Sequence, residues 1–152
     1  MKDRKKQRLD LLYRLREMHV EQARADHVAA QTELEEKREQ ADGTQQRLRA
    51  LDTWAMEKIA GGAPLIPEVL RQAQLFRGVE KKTLEQERAA EAESRERTEG
   101  ARAELSMRFE DLSVVERLAL RHAQTVTNEQ IRRGYVALDE AGAQRKNQEL
   151  KE

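Results

Sequence analysis

The sequence predicts an all-α protein: a two-helix antiparallel coiled-coil hairpin in which the second helix is longer than the first. Three observations predict this fold class. Charged residues make up 38% of the 152 residues and aromatic residues only 3%, so the chain cannot fill a wide globular core. Strong helix formers, such as Ala, Glu, Arg, Leu and Gln, dominate the composition. Both prolines and two of the seven glycines lie in segment 61–67, which is the one strong break in the chain.

The first helix is predicted over residues 3–58, where apolar and small residues recur every seven positions. One heptad series is Tyr13, Val20, His27, Leu34, Ala41, Leu48 and Ala55. The companion series is Leu9, Arg16, Ala23, Ala30, Lys37, Thr44 and Leu51. Because many members are small or polar, we expect a thin seam and a marginally stable coiled coil. The heptad phase survives Asp42-Gly43, so we expect the helix to continue through that pair.

A second apolar strip lies beside the seam in the first turns of this helix. Its members are Leu11, Leu12, Leu15 and Met18. Basic residues surround the strip, because residues 1–16 hold seven basic side chains against two acidic ones, a net charge of +5. The strip has two interpretations at this point. It is either a docking surface for a partner or extra packing against the far end of the second helix.

The turn is predicted over residues 60–66. Paired glycines free the backbone from the right-handed helical conformation, and Pro64 disfavours helix at Ala63. Pro67 is suited to open the second helix, because the first helical turn does not need its missing N–H. Glu68 then places a negative charge where the helix dipole favours it.

The second helix is predicted over residues 67–150, so that residues 1–152 form a single coiled-coil domain. Its first heptad series is Leu84, Glu91, Thr98, Leu105, Leu112, Ala119 and Val126, and its second includes Ala101, Arg108, Val115, His122 and Val136. The seam is poor between residues 85 and 98, where Glu and Arg alternate. Ser113 and Glu116 have capping-box spacing, which leaves a break near Asp111 open, but we predict an unbroken helix.

The predicted helices differ in length, roughly 84 Å against roughly 126 Å at the rise of an α-helix. About the last 25 residues of the second helix should therefore extend beyond the start of the first. This overhang carries Ile131, Tyr135 and Leu138 on one face. Its neighbouring basic residues are Arg132, Arg133, Arg145 and Lys146. An unpaired helix of this kind is completed by a partner or frays, and the sequence leaves that choice open.

The turn end is the most apolar region. Its large apolar residues are Leu48, Leu51, Trp54, Met56, Ile59, Leu65, Ile66, Val69, Leu70, Leu75, Phe76 and Val79. Some of them must lock the turn. Two helices cannot bury them all, so we expect a remainder that forms a binding surface.

Several function classes are disfavoured by the sequence. There is no cysteine, no phosphate-binding glycine loop, and the three histidines are far apart in a hairpin. We therefore expect no catalytic residue, no metal site and no cofactor, and interpret the protein as not an enzyme. Basic charge without interleaved aromatics disfavours nucleic-acid binding. Without a bilayer-spanning run or a signal peptide, we expect a cytoplasmic monomer.

Two segments resemble one known family. Leu12-Tyr13-Arg14-Leu15-Arg16-Glu17, followed by Glu21-Gln22-Ala23, Ala30-Gln31 and Leu34-Glu35-Glu36, resembles the start of the FliJ/YscO family. Segment 135–146 is similar to the C-terminal end of FliJ-type proteins. The family comprises small coiled-coil stalk proteins of flagellar and virulence type III export machines. They look like the coiled-coil part of the F1 ATPase gamma subunit.

The resemblance implies a role and a set of contacts. Family members insert their paired termini into a hexameric type III export ATPase, and their turn end reaches the cytoplasmic domain of the export gate or secretion chaperones. It implies ATPase-binding residues Arg4, Arg8, Leu12, Arg16, Arg132, Arg133, Tyr135 and Arg145. It implies gate- or chaperone-binding residues Leu51, Trp54, Leu75, Phe76 and Val79. The implied location is the cytoplasm, peripheral to the inner-membrane export apparatus.

Two questions remain open on sequence grounds. The tip has a proline-bounded loop of its own, so the partner at the tip and the choice between a flagellar and a virulence system are not decided. The alternative function is a generic coiled-coil adaptor or secreted protein without an ATPase partner.

Overall fold

The computed structural model describes residues 4–62, 64 and 66–151, and these residues form two helices and no strand. Helix α1 spans Arg4–Ala60 and helix α2 spans Pro67–Glu149. The helices are antiparallel. Thr44 contacts Glu87, and Glu33, which comes earlier in α1, contacts Arg97, which comes later in α2. The predicted fold class, an all-α antiparallel hairpin with a longer second helix, is confirmed.

The heptad seam predicted for α1 is the buried face of that helix. Its fully buried members are Val20, Ala23, Ala41, Thr44 and Leu48. The remaining described members of both series are half-buried, including Arg16, His27 and Lys37. Because these polar residues occupy seam positions, the face that α1 presents to α2 is narrow and mixed in character, as the sequence predicted.

Helix α1 ends two residues later than predicted, and the turn begins one residue later. Helix α1 continues through Ala60, because the Gly61 N–H still donates to the Glu57 carbonyl at 2.9 Å. Gly62 then ends the helix with a φ of +63°, a left-handed conformation that glycine adopts without steric cost. Ala63 and Leu65, which the sequence assigned to the turn, lie outside the described residues.

Helix α2 begins at the predicted residue and runs without a break. Its first hydrogen bonds go to the Ile66 carbonyl, which accepts from Val69 N at 3.0 Å and from Leu70 N at 3.3 Å. Residues around Asp111 are helical, so Ser113 does not cap a separate helix. The helix ends at Glu149, one residue before the predicted end. The predicted start of α1 at Asp3 lies outside the described residues.

The tertiary contacts divide the chain into two units. The terminal unit contains the described residues within Met1–Val20 and Met107–Glu152. The turn unit contains those within Glu21–Ser106. Each unit consists of one stretch of α1 and one stretch of α2, and each is described by itself below.

Candidate partner-binding surfaces

In the terminal unit, the first turns of α1 lie against α2. Val20 of α1 and Val115 of α2 are the buried apolar residues among the described residues of this unit, each 3% exposed. Arg16, at a seam position, pairs with Asp111, with Nη1 and Oδ2 3.5 Å apart. Nearer the start of α1, a groove of about 280 Å³ lies between the helices, and Leu9 and Val126 are among its lining residues. Packing is therefore closest around Arg16 and Val20 and leaves space towards the start of α1.

The predicted ATPase-binding residues of α1 differ in accessibility. Arg4 and Arg8 are exposed, whereas Leu12 and Arg16 are half-buried. Of the apolar strip beside the seam, Leu11, Leu15 and Met18 remain 65%, 46% and 67% exposed. The alternative in which α2 covers this strip is therefore wrong for these three residues. They form an apolar surface next to a basic stretch of helix.

The last part of α2 forms an exposed helix, as predicted. All described residues from Thr127 onward are exposed, and the start of α1 lies alongside this segment only up to Arg133, which lines a groove with Lys6 and Asp10. The predicted ATPase-binding residues Arg132, Arg133, Tyr135 and Arg145 are all accessible there. Ile131, Tyr135 and Leu138 are 52%, 67% and 70% exposed. They supply an apolar strip on the α2 overhang.

One seam assignment in this overhang is wrong. The heptad series places Val136 in the interface, but its side chain is 50% exposed. The physical reason is that a heptad position is buried only where the partner helix lies alongside it. The series of α2 loses its burial after Val126, because α1 begins near that level.

In the turn unit, the predicted gate- or chaperone-binding residues fall into two groups. Leu51 and Trp54 are half-buried, so part of each side chain is used in pairing the helices. Leu75, Phe76 and Val79 are 66%, 48% and 62% exposed. Other exposed apolar residues near the turn are Met56, Ile59, Ile66 and Val69. We call Leu75, Phe76 and Val79, together with Met56 and Ile59, the turn-end surface.

The middle of the turn unit buries polar groups instead. Thr44 is 0% exposed, and its hydroxyl donates to the Glu87 carboxylate, with Oγ1 and Oε2 2.8 Å apart. The same hydroxyl accepts from Arg47 Nη2 at 2.9 Å. Arg47 Nε also donates to Glu80 Oε2 at 3.2 Å. A threonine at a seam position thus joins the two helices by hydrogen bonds, which satisfies a hydroxyl that would be costly to bury alone.

Glu91 is the centre of a second polar group one turn away. Its side chain is 8% exposed and accepts from Arg88 Nη1 at 2.7 Å. Arg95 and Arg38 approach the other carboxylate oxygen at 3.2 Å and 3.6 Å. The hydrogen bond from the Arg88 guanidinium lowers the pKa of the Glu91 carboxyl, and the charges of all three arginines act in the same direction. The same contact raises the pKa of Arg88.

Arg88 also crosses to α1, where Nη2 donates to Asp42 Oδ1 at 3.0 Å and to Gln45 Oε1. We call these two neighbouring groups, with Thr44, Glu87 and Arg47 in one and Arg88 and Glu91 in the other, the polar network. Thr44 and Glu91 belong to the predicted heptad series, whereas Glu87 and Arg88 do not. Counting back by sevens from Ala101 reaches Ser94, Glu87 and Glu80, and this signal was available.

Further observations bear on the function classes. No group of three or more His, Cys, Asp or Glu in a metal-binding arrangement occurs among the described residues. Within the part of the chain that the structure describes, neither helix has a stretch apolar enough to cross a membrane. Comparison with protein-family models, curated proteins and solved structures found no match.

Proposed function

We propose that this protein is a central stalk and escort component of a bacterial type III protein export apparatus. In this proposal the terminal unit binds a hexameric export ATPase. The turn-end surface binds the cytoplasmic domain of the export gate or a secretion chaperone. The protein acts by binding and not by catalysis, in the cytoplasm at the periphery of the inner-membrane apparatus. The proposal rests on the FliJ/YscO resemblance of segments 12–36 and 135–146.

The observation that supports the proposal best is the exposed overhang of α2. A single helix gains little stability from its own hydrogen bonds, and it leaves Ile131, Tyr135 and Leu138 in water. Enclosing that helix in the central opening of a ring would bury this apolar strip. Arg132 and Arg133 flank the strip, and Arg4 and Arg8 add exposed positive charge in the same unit. The terminal unit therefore offers both apolar contact and charge to an enclosing partner.

The experiment is an ATP hydrolysis assay with the hexameric export ATPase of the same organism. The native chain should stimulate hydrolysis. Removal of residues 129–152 should abolish the stimulation, and the double variant Arg4→Glu/Arg8→Glu should reduce it several-fold. Arg16 is not substituted, because the loss of its ion pair with Asp111 would change the packing of the helices as well as binding to the ATPase.

A matched control carries the same change of charge elsewhere. Arg49 and Arg102 are exposed residues of the turn unit, so Arg49→Glu/Arg102→Glu should stimulate like the native chain. Normal stimulation by both terminal variants would refute the assignment of the terminal unit. Failure of the native chain to bind or stimulate the ATPase would favour the other function considered, a generic coiled-coil adaptor.

The turn-end part of the proposal depends on accessible apolar side chains. Leu75 and Val79 are exposed and one helical turn apart, so they form one strip on α2. The double variant Leu75→Gln/Val79→Gln should retain its melting temperature and lose binding to the gate domain or chaperone. The variant Gln72→Ala/Gln74→Ala is the control, because it alters exposed polar residues of the same helix.

A further inference from the structure

The two lateral sides of the terminal unit can be separated by heptad position. The heptad positions are lettered a to g, with Tyr13 and Leu105 at a and with Arg16 and Arg108 at d. In an antiparallel pair the g positions of both helices flank one side, with the c positions outside them, while the e and b positions flank the other. The first side, here called the leucine side, carries Lys5, Arg8, Leu12, Leu15, His19, Met107, Asp111, Val114, Leu118 and Arg121. The opposite side carries Gln7, Asp10, Arg14, Glu17, Phe109, Ser113, Glu116, Leu120 and Ala123.

Contacts within the unit agree with this division. Asp10 and Ala123, both assigned to the opposite side, line one groove between the helices. Asp111, assigned to the leucine side, reaches across to the seam residue Arg16. That pair also fixes the alignment of the helices. Leu12 of α1 therefore lies within one helical turn of the level of Val114 and Leu118 of α2, and Leu15 lies within one turn of the level of Val114 and about 9 Å from that of Leu118.

The leucine side holds an apolar surface to which both helices contribute. Leu15, Val114 and Leu118 are 46%, 47% and 45% exposed, and Leu12 is half-buried between them and the seam. Leu11 and Met18 extend this surface at its outer edge on α1. A surface shared by two parallel ridges has the shape of the groove into which an amphipathic helix packs.

The charges around the two sides have opposite signs. Among the described g and c residues up to position 121, the basic ones are Lys5, Arg8 and Arg121, and the acidic one is Asp111, which is paired with Arg16. On the opposite side over the same range, the acidic ones are Asp10, Glu17 and Glu116, and the basic one is Arg14. The leucine side has four exposed large apolar residues, namely Leu15, Met107, Val114 and Leu118, and the opposite side has Phe109 and Leu120. The side with more exposed apolar residues thus coincides with the positively charged side.

From this coincidence we propose that the leucine side of the terminal unit binds an acidic amphipathic helix of another protein. Apolar residues of that helix at i, i+3, i+4 and i+7 would pack between Leu15 and Leu118. Its flanking carboxylates would meet Lys5, Arg8 and Arg121. This site lies apart from the α2 overhang, although it shares Arg8 and Leu12 with the surface proposed to bind the ATPase, and its binding can be measured without an ATPase.

A second copy of this chain is a poorer occupant. The exposed helix that a second copy could offer is its overhang, where Ile131 and Tyr135 are flanked by Arg132 and Arg133. Those arginines would face Arg8 and Arg121, and like charges across an interface oppose association. Charge complementarity therefore selects an acidic helix.

The experiment uses three synthetic peptides of about 20 residues, a length that can form a stable helix when bound. The acidic peptide has leucine at heptad core positions and glutamate elsewhere. The second peptide replaces glutamate by lysine, and the third scrambles the acidic sequence. The full chain should bind the acidic peptide with one-to-one stoichiometry and bind the other two at least about tenfold more weakly. Added salt should weaken the binding of the acidic peptide.

Variants of the chain locate the site. Leu15→Gln/Leu118→Gln should weaken binding of the acidic peptide by at least about tenfold, because two apolar contacts are lost. Leu120→Gln is the matched control, since Leu120 is 60% exposed on the opposite side. Arg8→Glu should weaken binding, whereas Arg14→Glu should not. Helicity and melting temperature, measured for each variant, separate loss of binding from loss of folding.

Labelling supplies an independent readout, because the sequence has no cysteine. Thr125 lies on the leucine side and Thr127 on the opposite side, and the two hydroxyls make the same bond to the carbonyl four residues earlier. A fluorophore on Thr125→Cys should respond to the acidic peptide, and one on Thr127→Cys should not.

Four results would overturn the proposal: no saturable binding of the acidic peptide, equal binding of the lysine peptide, an equal loss in Leu120→Gln, or stronger binding to vesicles of anionic lipid than to the peptide. Concentration-dependent self-association blocked by Leu15→Gln/Leu118→Gln would also refute it, in favour of a second copy. Each result leaves the ATPase assay of the proposed function unaffected.

Discussion

Within the turn unit, polar side chains are buried in the polar network, whereas apolar side chains are exposed to water at the turn-end surface. The network buries Thr44 and Glu91, whereas a few turns closer to the turn Leu75 and Val79 are mostly exposed. Both regions belong to the same pair of helices. They differ in where their residues fall relative to the seam.

This difference shows that heptad position, and not hydrophobicity, decides burial in a two-helix structure. The seam is narrow, so a polar residue at a seam position is enclosed and must find partners. An apolar residue one position away remains in water, because no third element covers it. The network should therefore stabilise the unit, whereas the turn-end surface should contribute to binding and little to stability.

The largest effect is expected at the centre of the network. Glu91→Ala removes the carboxylate that joins Arg88, Arg95 and Arg38. We expect the free energy of unfolding to fall by about 2–3 kcal/mol, less than for a fully buried pair because the arginines can be hydrated. Thermal and urea unfolding measure the change. Glu93→Ala is the control: Glu93 is exposed and pairs only within α2, with Arg97, so a similar loss there would show that the network has no special role.

A smaller effect is expected for the aromatic residue that lies between the two regions. Trp54 is half-buried, so Trp54→Ala should lower the free energy of unfolding by about 2 kcal/mol. Phe76 is 48% exposed, and Phe76→Ala should cost less than about 1 kcal/mol. Both variants are compared by melting temperature and by partner binding. An equal loss of stability in the two variants would contradict the conclusion that Trp54 is packed between the helices and Phe76 is accessible.

The next effect concerns a single hydroxyl. Thr44→Val keeps the shape of the side chain and removes the group that donates to Glu87 and accepts from Arg47. We expect a loss of about 1.5 kcal/mol, the lower end of the range for hydrogen bonds to charged groups. Thr32→Val is the reference, because the Thr32 hydroxyl is exposed and bonds only to the Val28 carbonyl. In urea unfolding, Thr44→Val should therefore have a lower midpoint than Thr32→Val, and equal midpoints would contradict the prediction.

The smallest effect is a dependence on pH. Arg88 holds the pKa of the Glu91 carboxyl below its ordinary value of 4.5. A carboxyl with a lowered pKa stabilises the folded state above its ordinary pKa, and this contribution is lost as the pH falls through the folded pKa. The difference in stability between the native chain and Glu91→Gln should therefore be constant at neutral pH and shrink below about pH 4.5. Unfolding measured at a series of pH values tests this, and a constant difference down to pH 2 would contradict it.

The fold was predictable because its determinants are local. Heptad spacing identified the buried face of α1, and Gly62 with Pro67 identified the turn. The end of α1 was misplaced by two residues, because the sequence does not reveal how far hydrogen bonding continues beyond Lys58. Val136 was misplaced for a different reason: its burial depends on where the other helix begins.

The candidate surfaces were predictable only in part. Arg4, Arg8, Tyr135 and Phe76 were identified from composition and resemblance, and they are accessible. The contribution of Val114 and Leu118 was missed, because it depends on the alignment of α2 beside α1. That alignment combines residues about 100 positions apart, which a pattern read along one helix does not reveal.

The ion pairs of Arg38 with Glu91 and of Arg88 with Asp42 cross between the helices, so they also restrict which alternative alignments the two helices can adopt. A seam rich in alanine would tolerate slippage, since one small residue replaces another. If α2 moved by one heptad, Glu91 would lie level with Gln31 or Gln45 in place of Arg38, and Arg88 would lie level with Leu34 or Leu48. Each shift would separate these two pairs, whereas the pairs of Glu91 with Arg88 and Arg95 lie within α2 and would move with it. Competing registers are thus raised in energy relative to the native one by the loss of these ion pairs.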